Sequence, residues 1–250
     1  MKFFTKIKKR LKQIFIPVNN NITHENNLNG KTIIEVLKSG LTLPQTCYAQ
    51  DGEDLVLARL LEYKKNGFYV DIGAHHPTRF SNTYLFYLQG WNGINVDAQP
   101  ESMIVFNKHR PRDINIECGI GLSKGQESYY QFNEPALNTF DHSEAKIKNI
   151  APYKIINVLK VEIKRLDEIL DKYVPLNQTI DFMSIDVEGK DLEVLQSNNW
   201  LKYRPKYILA ETLRINISKI SECPLAIFLS GVGYYPICKV YNTLFFESRE

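Results

Sequence analysis

The chain has 250 residues, of which 44% are hydrophobic and 24% are charged. This length and composition favour one sizeable globular domain and exclude a disulfide miniprotein, a collagen-like chain and a wholly disordered chain. No run of residues approaches the ~20 consecutive apolar residues that a membrane-spanning helix needs. The first residues also lack the unbroken apolar run and the small-residue cleavage site of a signal peptide.

The charge is unevenly distributed. The formal net charge is +3, and residues 1–12 carry six lysines and arginines with no acid, so the rest of the chain carries 3 − 6 = −3. A mildly acidic main body argues against nucleic-acid binding as its principal role. Four cysteines are present, without CxxC or metal-site spacing. Free thiols, and therefore a cytoplasmic location, are predicted.

Residues 1–30 are predicted to be an extension to a main domain that spans 31–250. Residues 1–18 are typical of a short basic amphipathic helix, and the Asn-rich stretch 19–30 is interpreted as a linker. Such an arm can contact a membrane surface, or it can dock on its own domain or on a second subunit. We favour docking over peripheral membrane contact, and we expect a homo-oligomer.

From residue 30 onward, apolar runs alternate with helical patterns. Strands are predicted at 67–74, 93–98 and 114–119, and helices at 32–38, 50–63, 81–88 and 100–109. This alternation predicts an α/β fold with a parallel sheet and crossover helices.

The second half resumes this alternation after an interruption. Strands are predicted at 127–133 and 156–164, and the polar, irregular stretch 134–152 between them is interpreted as an acceptor-binding insert or lid. Further strands are predicted at 179–187, 206–211, 235–241 and 243–247, with helices at 190–197 and 224–230. The last two strands are joined too tightly for a crossover, so they are predicted to be antiparallel.

Ligands of open α/β sheets bind beyond the carboxyl ends of the strands. The first predicted strand is followed by Gly73 and Ala74, which admit a ligand close to the backbone. Asp97 ends the second strand, where a carboxylate can accept both hydroxyls of a ribose. The first loop lacks the GxGxxG pattern, so a pyrophosphate fits poorly. S-adenosylmethionine is therefore favoured, with an NAD-dependent oxidoreductase as the alternative.

Five segments together resemble the FkbM-type methyltransferase family: YAQDGEDLVL (48–57), GFYVDIGAHHPTRFSNTYLF (67–86), GWNGINVDAQPES (90–102), LDEIL (166–170) and IDFMSIDVEGKDLEVL (180–195). Their order and spacing agree over roughly residues 45–212. The resemblance implies a class I, Rossmann-like methyltransferase that uses S-adenosylmethionine, with a seven-stranded, mostly parallel sheet and an antiparallel C-terminal strand. It further implies O-methylation of a small molecule. We expect a hydroxyl of a sugar or nucleotide-linked sugar, in capsule or surface polysaccharide synthesis. A non-catalytic cofactor-binding module is the remaining alternative.

Carried onto this sequence, the resemblance implies a set of cofactor-binding residues. Asp71, Gly73 and Ala74 would line the methionine end, Asp97 would hold the ribose, and Gln50 would reach the amino-acid portion. The set is completed by Ser81, Asn82, Ala98 and Cys118. Ser81 and Asn82 are expected at the start of a helix, where free backbone N–H groups suit a carboxylate. The chain departs from the family at Ala49, at the His75-His76 pair and at Asp97-Ala98, where other residues are commoner.

Methylation of a hydroxyl calls for a general base or a divalent cation, because a hydroxyl is a poor acid. Asp186 and Glu188 follow the strand at 179–187. Either is a candidate base, or both could bind Mg²⁺ together with Glu211. In the structural alternative, Glu188 caps the helix that starts near Lys190 and Asp186 braces a loop.

Three histidines and one arginine complete the candidate residues. His76 and His142 are further candidate bases, since imidazole titrates near working pH. His75 and Arg79 are predicted to bind the acceptor. The guanidinium of Arg79 suits a phosphate group, although a surface ion pair explains that residue equally well.

Overall fold

The computed structural model describes residues 46–212 and 215–249. The predicted basic arm, the linker and the helix at 32–38 lie outside these ranges. The helices are α1 Glu53–Leu60, α2 Tyr84–Leu88, α3 Ser102–His109, α4 His142–Lys148, α5 Leu166–Tyr173, α6 Asp191–Gln196 and α7 Pro224–Gly231. The strands are β1 Phe68–Ile72, β2 Asn92–Asp97, β3 Ile114–Glu117, β4 Gly119–Ile120, β5 Gly125–Phe132, β6 Ile155–Lys164, β7 Phe182–Ile185, β8 Tyr207–Glu211, β9 Tyr234–Val240 and β10 Thr243–Ser248. Within the described ranges, no helix is long and apolar enough to span a bilayer.

Seven strands form the main sheet, in the order β3-β2-β1-β7-β8-β10-β9. Strand β1 pairs in parallel with β2 on one side and with β7 on the other. Strand β10 is antiparallel to both β8 and β9. The predicted mostly parallel sheet with an antiparallel C-terminal strand is therefore confirmed. Because the chain leaves β1 towards β2 and later returns on its other side at β7, the strand order reverses between β1 and β7, which is where such sheets bind ligands.

The central strands are apolar because both faces of the sheet are covered. All five residues of β1 are buried. Phe68, Val70 and Ile72 belong to one core cluster, whereas Tyr69 lies in the cluster on the opposite face with Trp91. This alternation follows from the two-residue period of a strand. Burial on both faces makes β1 a fixed platform for the loop that follows it.

A second, three-stranded sheet has the order β4-β6-β5. Strand β5 is antiparallel to β6, and β4 is parallel to β6. The predicted strand 114–119 is thus two short strands that belong to different sheets. The prediction of an irregular stretch at 134–152 was wrong in part, since it contains a 3-10 helix, Pro135–Leu137, and helix α4. We call residues 133–154, which join β5 to β6, the insert.

Candidate active site

A cavity of about 470 Å³ lies where β1, β2, β7 and β8 end. Its walls on that side are 71–75, 96–99, 184, 186–188 and 211, and the insert covers it from the other side through 134–138, 140, 148 and 153. This volume falls within the range of small-molecule sites. The cavity therefore occupies the position at which the sequence predicted ligand binding.

Most of the predicted site residues line this cavity. They are Gln50, Asp71, Gly73, Ala74, His75, Arg79, Asn82, Asp97, Ala98, Cys118, Asp186, Glu188 and Glu211. Three predicted residues, Ser81, His76 and His142, are not among the lining residues. Each of these three has another role that its contacts explain.

Gly73 has a positive φ of +81° and lies against the end of β7. A Cβ at this position would be 1.8 Å from the carbonyl oxygen of Asp186. The Asp186 amide in turn donates to the carbonyl of Ile72 at 2.9 Å. The glycine is thus required by the contact between two strand ends, as well as by its left-handed backbone.

Asp97 is held by the backbone of the loops that face it. One carboxylate oxygen accepts from the amide of His75 and the other from the amide of Gln99, each at 2.7 Å. Burial raises the pKa of Asp97, and the two amides oppose that rise. A carboxylate has about four acceptor positions, so these bonds leave capacity for two further donors from the cavity.

Asp71 lies at the end of a buried hydrogen-bond network. The Thr83 hydroxyl donates to Asp71 at 2.7 Å and accepts from Arg110 at 2.9 Å, and Arg110 pairs with Asp113 at 2.8 Å. Burial raises the pKa of Asp71 to about 6, against the opposing effects of Thr83 and Arg110. A cationic group in the cavity would favour the ionised form of this carboxyl further.

The side chains of the adjacent residues Ser81 and Asn82 point in different directions. The Ser81 hydroxyl is buried and accepts from the amide of Tyr84 at 3.1 Å. Helix α2 begins only at Tyr84, later than predicted, so Ser81 acts on the start of that helix rather than on the cavity. Asn82 lines the cavity, and its amide donates to the Ser184 hydroxyl at 3.0 Å.

Asp186, Glu188 and Glu211 converge at the ends of β7 and β8. One carboxylate oxygen from each lies within 4.8 Å of the others. Solvent reaches Asp186 through the cavity, but protein surrounds the group on its other sides. This enclosure, followed by the charges of Glu211 and Glu188, raises the pKa of Asp186 well above its usual range. Burial and the neighbouring carboxylates raise the pKa of Glu211 to about 8.

Lys148, at the end of α4, forms an ion pair with Glu188 inside the cavity. The two side chains are only 12% and 19% exposed. Glu188 therefore does not cap α6. The N-cap residue of α6 is Lys190, whose side chain makes no capping hydrogen bond. Lys148 was not among the residues predicted from the sequence. Asp141 followed by Glu144 is the start signal that would have predicted α4.

Two of the predicted catalytic histidines lie away from the cavity. The Nδ1 atom of His76 accepts from the backbone amides of Thr78 at 3.2 Å and Arg79 at 3.0 Å, so it shapes its own loop. His142 is exposed at the start of α4, and its Nδ1 atom lies 2.9 Å from the Tyr130 hydroxyl. Neither residue lines the cavity that holds the carboxylate cluster, so the geometry gives no support to the prediction that either is the base.

His75 and Arg79, the two residues predicted to bind the acceptor, both line the cavity. The buried Nε2 atom of His75 has no hydrogen-bond partner within the described part of the chain, and burial lowers the pKa of this imidazole to about 4. Arg79 forms a two-pronged ion pair with Glu134, at 3.2 and 3.3 Å. The ion pair that the sequence left open as the alternative for Arg79 is thus present.

Comparisons with known proteins bear on the fold and the reaction. A family model described as the methyltransferase FkbM domain matches residues 71–225. No curated protein sequence matches the chain.

Solved structures give distant matches. The N-terminal domain of human METTL16 in complex with SAH is 12% identical, with 87% of this chain and 79% of that chain covered and a TM-score of 0.41. A 1,6-didemethyltoxoflavin-N1-methyltransferase from Burkholderia thailandensis is 11% identical, with 79% and 77% covered and a TM-score of 0.39. A precorrin-6y C5,15-methyltransferase from Geobacter metallireducens GS-15 is 12% identical, with 82% and 90% covered and a TM-score of 0.39. Scores this low support no statement about the substrate.

Proposed function

The chain belongs to the methyltransferase FkbM domain family and is an S-adenosylmethionine-dependent methyltransferase, and on this premise we propose that its acceptor is a hydroxyl of a sugar or of a nucleotide-linked sugar. The observation that carries the proposal is the position of the carboxylate cluster. Asp186, Glu188 and Glu211 share one cavity with Asp71 and Asp97. Cofactor-binding groups and proton-accepting groups thus face the same space.

The residues present fit the cofactor. Asp97 retains acceptor capacity for a ribose diol, since its two backbone bonds use about half of its acceptor positions. Asp71 would meet the ammonium of the methionine portion, and Asn82 and Gln50 would donate to its carboxylate. Ala98 and Cys118 offer a small and a soft apolar surface suited to adenine. When bound, S-adenosylmethionine supplies an electrophilic methyl group on a sulfonium.

The carboxylate cluster suits a neutral alcohol. Carboxylates accept hydrogen bonds from hydroxyls, and a sugar presents several hydroxyls at once. As the acceptor oxygen bonds to the methyl carbon and the carbon–sulfur bond breaks, the hydroxyl proton passes to a carboxylate, for which Asp186 is our choice. Burial and the neighbouring carboxylates raise the pKa of Asp186, and a carboxylate with a raised pKa is a stronger proton acceptor.

A divalent cation is the alternative way to activate the hydroxyl. Three carboxylate oxygens within 4.8 Å are a suitable donor set for Mg²⁺. The cluster would then orient the acceptor oxygen and stabilise its developing negative charge. Chelation with EDTA distinguishes this route from a general base.

The nucleotide part of the proposal depends on Arg79. Its guanidinium is paired with Glu134 at the cavity wall, so a phosphate would have to compete with that carboxylate. His75 lines the same wall, and its Nε2 atom is buried there without a hydrogen-bond partner among the described residues. A free sugar therefore needs fewer changes at this wall than a nucleotide-linked one.

The test is methylation of a panel of sugars and nucleotide-linked sugars, followed by mass spectrometry. We expect at least one acceptor to gain one methyl group, seen as the added mass of one CH2 unit. This gain should be lost with Asp186→Asn. Calorimetric titration with S-adenosylmethionine and with NAD accompanies the assay. Binding of NAD in place of S-adenosylmethionine would exclude the proposal, and methylation confined to nitrogen acceptors would exclude its O-methylation part.

A further inference from the structure

Helix α4 brings a cation into the carboxylate cluster. The Lys148 ammonium contacts Glu188, and its charge favours the ionised forms of Asp186, Glu188 and Glu211 alike. Only 12% of the Lys148 side chain is exposed. An ammonium taken out of water this far needs a fixed negative partner, because an unpaired buried charge is strongly destabilising.

The contact between the insert and Glu188 is built at several points. The Thr139 hydroxyl donates to the backbone carbonyl of Glu188 at 2.8 Å. Glu188 has a φ of +55°, which is uncommon for a residue with a side chain. The next residue, Gly189, lies so close to α4 that a Cβ there would be 3.0 Å from the Cγ atom of Glu144. Backbone and side chain of Glu188 are thus both held by the insert, which is typical of a constrained functional position.

The neighbouring lysines have other partners. Lys190, two residues after Glu188, pairs with Glu127 at 2.7 Å and Glu193 at 3.3 Å. Lys239 lies on the β9 side of Glu211 and donates to the Thr212 hydroxyl at 3.3 Å. Lys148 reaches the cluster from the acceptor side, through the insert that covers the cavity.

We propose that Lys148 is the resident cation of the acceptor site, which fixes Glu188 beside Asp186 and makes a divalent metal unnecessary at the cluster. This inference rests on the proposed function, because it assigns a positioning role within the same site. The ammonium neutralises one of the three converging carboxylates, Glu188, and places its charge close to the other two. The insert thus contributes a charge to the reaction centre in addition to covering it.

Mn²⁺ alone is the probe for this proposal, and Lys148→Met is the principal variant. Methionine preserves most of the length of the side chain, being one atom shorter, and removes its charge. We expect the wild-type protein to bind Mn²⁺ weakly at the cluster and Lys148→Met to bind it at least about tenfold more tightly, which corresponds to ~1.4 kcal/mol. Lys146→Met, on the exposed side of the same helix, is the matched control and should leave Mn²⁺ binding unchanged.

Two further variants keep the test decisive if Lys148→Met folds poorly. Lys148→Arg preserves the charge and should retain weak Mn²⁺ binding. Lys148→Met combined with Glu188→Gln removes both charges of the pair and should lose the gain in Mn²⁺ affinity. Tight, stoichiometric Mn²⁺ binding by the wild-type protein that disappears in Glu211→Gln would overturn the proposal.

Measurements of cofactor binding distinguish a failure of this inference from a failure of the proposed function. Calorimetry with S-adenosylmethionine is run on every variant, and we expect its affinity to stay within about twofold in Lys148→Met. Absence of S-adenosylmethionine binding in the wild-type protein would refute the proposed function itself. Once an acceptor that the enzyme methylates is known, kinetics can be measured on the variants. Lys148→Met should lower kcat with little change in the KM for S-adenosylmethionine, and Lys148→Arg should restore part of kcat. Equal loss in both lysine variants, or an unchanged kcat in Lys148→Met, would contradict the role of the charge.

Discussion

The α-carbon of Gly73 faces the backbone carbonyl of Asp186, at a distance that leaves no room for a side chain. A Cβ at Gly73 would lie 1.8 Å from that oxygen. The contact joins the end of β1, where the cofactor is proposed to bind, to the end of β7, where the candidate base lies. The geometry of the cofactor site and that of the acceptor site are therefore coupled through two backbones.

We expect Gly73→Ala to disturb both sites. The substitution adds a clash with a backbone atom to the cost of a positive φ, which alone is about 1–2 kcal/mol. Gly90→Ala is the matched control, because Gly90 also has a positive φ, of +97°, but a Cβ there would have no atom of residues 46–212 or 215–249 within 4 Å beyond its chain neighbours. Thermal unfolding and S-adenosylmethionine titration should show a larger loss at Gly73 than at Gly90. Equal losses would mean that backbone conformation, and not the contact with Asp186, explains the glycine.

Asp97→Asn should weaken S-adenosylmethionine binding by about tenfold or more, or ~1.4 kcal/mol. The amide that replaces the carboxylate has one acceptor oxygen, whereas His75 and Gln99 each donate a backbone N–H to a different oxygen of Asp97. One amide would lose its partner, and the site would lose the charge that favours a ribose diol. Calorimetry measures the effect, with the exposed Asp171→Asn as the control. Unchanged affinity would remove Asp97 from the cofactor site.

The sequence predicted those parts of the site that follow from strand ends. Asp71, Asp97, Asp186 and Glu211 each end or follow a buried apolar run, and parallel strands bring such ends to one edge of a sheet. The direction of a side chain in a loop was harder to predict. Ser81 turns inward because its hydroxyl serves the helix that begins at Tyr84.

Lys148 was missed for a different reason. It enters the cavity from an insert whose helix is short, and its partner Glu188 is 40 residues away in sequence. No local pattern reports such a contact, because it depends on how the insert packs over the main sheet. For the same reason, the sequence could not show that His142 lies outside the cavity lining: a histidine in a covering segment faces the cavity only if its position on the helix allows it.

Binding of S-adenosylmethionine should depend on pH through Asp71. Burial raises the pKa of this carboxyl to about 6, so it is ionised at pH 7 and mostly protonated at pH 5. Protonation removes the attraction for the methionine ammonium, so the affinity should fall about tenfold from pH 7 to pH 5. Calorimetry at the two pH values measures this change.

Thr83→Val provides the control for that pH dependence. Thr83 donates to Asp71 at 2.7 Å and thereby favours its ionised form. Its removal should raise the pKa of Asp71, so the loss of affinity should begin at a higher pH. A midpoint that does not move would assign the pH dependence to another group.

Asp186→Asn should lower kcat by about 10²–10⁴, the usual contribution of a positioned general base, with little effect on S-adenosylmethionine affinity. Asparagine keeps the shape of the side chain but accepts no proton. Steady-state kinetics with the acceptor identified in the panel, measured with and without EDTA, tests this effect. A wild-type rate that EDTA abolishes would indicate a metal in place of the base, and a variant with normal kcat would assign the proton to another group.

Arg110→Met should destabilise the fold by about 3–5 kcal/mol, the range for breaking a buried ion pair by removing one partner. Arg110 is fully buried, and its loss would leave Asp113 without its cation. It would also remove the group that donates to the Thr83 hydroxyl at 2.9 Å, so S-adenosylmethionine affinity should fall together with stability. Arg112→Met, at an exposed position two residues away, is the matched control for denaturant unfolding. A stability loss in Arg110→Met with unchanged cofactor affinity would show that the network supports the core without acting on Asp71.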